Sequence, residues 1–141
     1  MEDPARDAAR LLRDAWGTRL PVDPVRIARR LGVDVREAKL SSGIPVALLK
    51  DPGSGPVIVL NTADSVGRKR FSCAWALGRF VGEWREEYFH VADRTIFASS
   101  AGYAGDFARA LVAPSVPSRE RAWDTLGLAL RFDVPREVFS A

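Results

Sequence analysis

The chain has 141 residues, 47% hydrophobic and 28% charged, with a formal net charge of +3. That is enough for one domain, residues 1–141, whose core needs no disulfide or metal to hold it. No apolar run approaches the ~20 residues of a membrane span. Cys73 is the only cysteine, and the start Met1-Glu2-Asp3-Pro4-Ala5-Arg6 is polar, so a cytoplasmic location without disulfide or secretory signal is expected.

The 21 basic residues comprise 18 arginines and three lysines (Lys39, Lys50, Lys69), interspersed with 18 acids. Such mixing predicts a solvated, mixed-charge surface, and direct nucleic-acid binding is not expected.

Ala5 to Trp16 reads as a helix. Ala8, Leu11, Leu12, Ala15 and Trp16 share one face, Arg6, Arg10, Arg13 and Asp14 the other, and Gly17 stops it. Asp23-Pro24 supplies an N-cap and a proline at the first helical position, and Ile27, Ala28 and Leu31 form a short stripe up to Gly32. Val33 to Arg36 alternates as a strand does. Ile44 to Lys50 and Val57 to Asn61 are β-rich runs around Asp51-Pro52-Gly53-Ser54-Gly55-Pro56, which predicts a hairpin. The glycines of that turn lack the lysine and following helix of a phosphate loop, so a plain turn is expected.

Arg68 to Val81 is the predicted central helix, with Phe71, Ala74, Leu77 and Val81 as its buried stripe and several N-caps before it in Asn61–Ser65. Trp75 and Arg79 form a second i, i+4 line, close enough for the guanidinium to stack on the indole. Residues 91–100 lack a pattern and read as a connector. Tyr103, Phe107, Ala110 and Leu111 mark a helix ended by Pro114 and Pro117. Ser118 caps another, with Ala122, Trp123, Leu126 and Leu130 inward, and Asp133-Val134-Pro135 opens a last short one. Strands followed by helices predict an α+β fold: a small antiparallel or mixed three-stranded sheet packed against the central helix, with N- and C-terminal helices.

Several segments, in this order, resemble the ImmA/IrrE family of zinc metallopeptidases, whose fold is gluzincin-like. Pro21 to Val35 is similar to the family's second helix and first strand. Pro56-Val57-Ile58-Val59-Leu60-Asn61 resembles the strand before its active-site helix, which Arg70-Phe71 and Leu77-Gly78 frame. Phe107-Ala108-Arg109-Ala110-Leu111-Val112-Ala113-Pro114 resembles its F-A-x-x-L-L-x-P helix, and Leu128 to Pro135 its C-terminal helix pair. The resemblance implies a zincin-like central helix and a protein partner such as a helix-turn-helix repressor or a related antitoxin or stress-response regulator.

The family's H-E-x-x-H would fall on Trp75, Ala76, Leu77, Gly78 and Arg79, and its third ligand, a glutamate, on Tyr103. Zinc sites take imidazole, thiolate or carboxylate, and none stands at these positions. The expectation is a pseudoenzyme with no cofactor: a regulatory protein-binding module whose degenerate former site is Trp75, Ala76, Arg79 and Tyr103. The resemblance also suggests that a partner strand pairs along the sheet edge beside the helix, with Val57, Ile58, Val59, Leu60 and Asn61 as the candidate edge.

Other readings stay open. Trp75 and Tyr103 are large enough to plug the cleft that a lost zinc would leave, with Arg79 stacked on the indole; alternatively an aromatic and cationic pocket of Trp75, Arg79 and Tyr103 would suit a small-ligand or peptide sensor. The C-terminal pair, Ser118–Phe132 and Pro135–Ala141, has the outline of a DNA-associated helix-turn-helix, with only Arg136 and Glu137 to reach bases. His90 beside Glu86, Glu87 and Asp93 reads as a surface cluster, and Cys73 as a structural thiol.

Overall fold

The computed structural model describes residues 3–51, 53, 55–83, 90–98, 102–113 and 135. They form a mixed α+β unit with four α-helices and a four-stranded mixed sheet among the described residues. The two helices predicted after Pro114 lie outside the described residues.

Local chemistry explains the first elements. Helix α1, Pro4–Ala15, starts where the Asp3 carboxylate accepts the Arg6 N–H at 3.0 Å, and it buries Ala8, Leu12 and Ala15. It ends as Gly17, at φ +117°, donates back to the Leu12 carbonyl at 2.8 Å. Helix α2, Pro24–Arg30, repeats the device: Asp23 accepts the Val25 N–H at 3.1 Å, and Ile27 and Ala28 are buried.

The strands are β1, Asp34–Ala38; β2, Val46–Asp51; β3, Gly55–Asn61; and β4, His90–Val91, in the order β1-β3-β2-β4. β1 runs parallel to β3, and β2 is antiparallel to both β3 and β4. The register aligns Val35 with Ile58 and both Val46 and Leu48 with β3 residues of the same face, so Val35, Val46, Leu48, Ile58 and Leu60 form one buried layer. The sheet has one strand more than the three predicted. The extra strand is two residues long, too short to carry an alternation, and only its pairing with Ala47 and Leu48 defines it.

Helix α3, Val66–Glu83, crosses the buried face, and residues 71–78 are all buried. A helix covered all round its middle is a core element, and an amphipathic stripe describes it poorly. Val81, expected inside, is 44% exposed, because the packing against helix α4, Tyr103–Val112, runs instead along Gly78 and Gly82. A 3₁₀ turn, Arg94–Phe97, closes the near end of α3, with Phe97 against Phe71 at 5.9 Å between ring centroids.

The first turns of α3 carry Arg68, Lys69 and Arg70, the wrong sign for a helix N-terminus. Tertiary partners offset this. Lys69 Nζ lies 2.8 Å from the Glu37 carboxylate, Arg70 donates to the Val22 carbonyl at 2.6 Å, and the Arg68 guanidinium sits 4.9 Å from the Phe97 ring centroid. The three cations tie α3 to β1, to the segment before α2 and to the 3₁₀ turn.

Candidate functional site

The i, i+4 line predicted on α3 is present. Arg79 Cζ lies 5.2 Å from the Trp75 ring centroid, Trp75 is 9% exposed and Ala76 is fully buried. A guanidinium over an indole contributes on the order of 0.5–2 kcal/mol. The donor chemistry here is indole, methyl and guanidinium, so these residues do not fit zinc, and the cation already held there is Arg79.

Tyr103 reaches α3 from the start of α4. Its ring lies against Gly82, about two turns beyond Trp75 along α3; a Cβ built at Gly82 would meet that ring at 2.6 Å. It stacks on Phe107 at 5.9 Å, and its hydroxyl donates to Asp7 Oδ2 of α1 at 2.6 Å. Tyr103 is a brace joining α1, α3 and α4.

The candidate partner edge is also corrected. Val57 to Asn61 lie on β3, which pairs with β1 on one side and β2 on the other, so its backbone is committed on both flanks. The free edge among the described residues that presents more than two residues is β1. The Ala38 carbonyl accepts the Thr62 N–H at 2.9 Å, so in a parallel ladder Asp34, Arg36 and Ala38 bond towards β3, while Val35 and Glu37 present their N–H and C=O outwards. Arg29 Nη2 already reaches the outward carbonyl of Val35, at 3.3 Å. Arg36, Glu37 and Ala38 are exposed. Beside them lies a cleft of about 310 Å³ with Val25, Leu60 and Val66 as apolar lining and Asp23, Glu37, Lys69 and Arg70 as charged lining.

Asn61 has a role that its assignment to a partner edge missed. It is fully buried, and Nδ2 faces the carbonyls of Ile44 (2.9 Å), Ser41 (3.2 Å) and Leu40 (3.4 Å), while Oδ1 accepts the Ala63 N–H at 3.1 Å. One side chain thus holds the loop before β2 against the turn after β3. Next to it, Asp64 pairs with Arg94 at 2.8 Å, and Arg94 Nε donates to the Ser42 carbonyl. An amide at the end of an apolar strand, followed by Thr62-Ala63-Asp64-Ser65, was the available signal.

His90 is buried on β4 opposite Leu48, and Asp93 caps the 3₁₀ turn; hydrogen bonds from the Thr95 hydroxyl, then its N–H, hold the Asp93 carboxyl below its ordinary range. Among the described residues no group of three or more His, Cys, Asp or Glu side chains could hold a metal ion. Glu86 and Glu87 lie outside the described residues. Cys73 is fully buried, and burial, helped by the charge of Asp23, pushes its thiol well above the ordinary range. Only the thiolate reacts at an appreciable rate. Native protein at pH 8 is therefore expected to leave a chromogenic disulfide reagent unreacted, with one thiol released on addition of denaturant; rapid labelling of native protein would contradict this placement.

No protein-family model matches the chain, and no curated protein matches it.

Proposed function

We propose that this chain is a catalytically inactive, zincin-like domain that acts by binding another protein, a helix-turn-helix repressor or related regulator being the class that fits the sequence resemblance. The observation that carries the reading is the Trp75–Arg79 stack, with Ala76 buried, on the helical line where the resemblance asks for two histidines and a glutamate. A water-activating metal needs donors that these side chains cannot supply. Metal analysis of purified protein is expected to show no stoichiometric zinc; one zinc per chain, lost on His90→Ala, would sink the pseudoenzyme reading.

Strand addition to β1 is the binding route we favour, since its outward groups at Glu37 border the cleft. Glu37→Pro removes an outward N–H without touching the β3 ladder, whereas Glu37→Ala removes only the carboxylate and its contact with Lys69. Capture of repressors encoded by neighbouring genes is expected to be lost with the proline variant and kept with the alanine variant. Equal capture by both would exclude this edge.

A further inference from the structure

Around the connection between α1 and α2 stand arginines without acidic partners among the described residues. Arg10, Arg13, Arg19, Arg29 and Arg30 are all exposed, and no carboxylate of the described residues lies within ion-pair range of any of them. The neighbouring acids are otherwise engaged: Asp3 with Arg6, Asp23 with Arg26, Asp34 with Arg36, and Asp7 with the Tyr103 hydroxyl. Among the described residues Asp14, next to Arg13, is the one neighbouring acid left outside these pairs.

The contacts centre on the end of α1. Arg10 and Arg13 lie on the side of α1 opposite the buried Ala8, Leu12 and Ala15. Arg30 crosses from α2 to donate to the Ala15 carbonyl at 2.9 Å, Arg19 covers the Trp16 ring at 4.6 Å, and Arg29 reaches the Val35 carbonyl. The two helix C-termini contribute about half a negative charge each. With Asp14 they offset about two of the five positive charges, leaving a surplus of about three among the described residues. Leu31, 38% exposed, adjoins Arg30, and Trp16 is half-buried under Arg19.

We propose that this arginine corner docks an acidic segment of a partner protein that also carries an apolar side chain. The inference rests on the protein-binding reading above and adds the chemistry of the partner. Guanidiniums pre-set by backbone carbonyls, with Trp16 and Leu31 among them, are the composition of a protein interface centre, where arginine and tryptophan carry most of the binding energy. A nucleic-acid footprint is dominated by phosphate contacts, for which an exposed leucine and a covered indole offer nothing.

The test uses the full chain and two labelled probes, a synthetic peptide of interspersed glutamate, aspartate and leucine, and a DNA duplex, followed by fluorescence anisotropy at low and physiological salt. The peptide is expected to bind, more weakly as salt rises, and Arg10→Glu/Arg13→Glu to lower its affinity about tenfold or more. Both arginines are exposed and have no partner to lose, so the variant keeps its fold, which circular dichroism checks. Lys39→Glu/Lys50→Glu makes the same change in net charge elsewhere and should leave the affinity unchanged. Absence of peptide binding, equal weakening by both variants, or tight duplex binding that the arginine variant abolishes would overturn the proposal. None of these outcomes bears on zinc content or on the Glu37→Pro comparison, so the corner can fail while the protein-binding reading stands.

Discussion

Replacing Asn61 by leucine is expected to destabilise the fold by on the order of 3 kcal/mol, a fall in melting temperature of roughly 10 °C. Leucine fills the same space but strips a fully buried site of one acceptor and one donor group, leaving the Ile44 carbonyl and the Ala63 N–H without the Asn61 amide, while the Ser41 carbonyl keeps the Ile44 N–H at 2.9 Å. Unsatisfied buried groups cost about 1–3 kcal/mol each, more than the ordinary net gain of a hydrogen bond, so polar loss outweighs the added apolar contact. Asn61→Asp sharpens the test. Its carboxylate would face carbonyl oxygens, which disfavours the charged form and raises the folded-state pKa above the unfolded value of about 3.9. A raised folded pKa means stability fully present below the unfolded pKa and lost as pH rises through the folded one. The aspartate variant should therefore approach wild type in acid and fall away towards neutrality. Chemical denaturation across pH measures this, and a flat difference from wild type would rule out the amide's role as donor to these carbonyls.

Gly82→Ala is expected to destabilise by about 1–2 kcal/mol, although alanine in a helix interior gains about 1 kcal/mol over glycine. The added methyl would meet the Tyr103 ring at 2.6 and 2.7 Å. That ring cannot simply swing aside, because it is stacked on Phe107 and its hydroxyl is bonded to Asp7. Moving it breaks the brace between α1 and α4. In the background of Tyr103→Ala the same substitution should become neutral or stabilising, as only the helix propensity remains. A double-mutant cycle by thermal or denaturant unfolding measures the coupling, and additivity would show that Gly82 and Tyr103 do not meet as described.

Much of the fold was legible because its signals are local. Asp23-Pro24 announces α2 through its own cap bond, the hairpin follows from two β-rich runs around a turn cluster, and the Trp75–Arg79 stack follows from i, i+4 spacing alone. Each needs contacts between residues a few positions apart. Composition likewise determined that no described helix is long and apolar enough to cross a membrane.

Tertiary structure alone decided the rest. β3 is interior because β1, more than twenty residues earlier, pairs with it in parallel, and no local pattern reports strand order. Val81 is exposed because α4 approaches α3 at Gly78 and Gly82, where missing side chains admit close contact. Tyr103 is a brace because Asp7 meets it from 96 positions away in sequence. The residue types at Trp75, Ala76, Arg79 and Tyr103, and hence their mismatch with zinc, could be read from the chain; which strand lies at the sheet edge and which charges are paired depended on how distant segments pack.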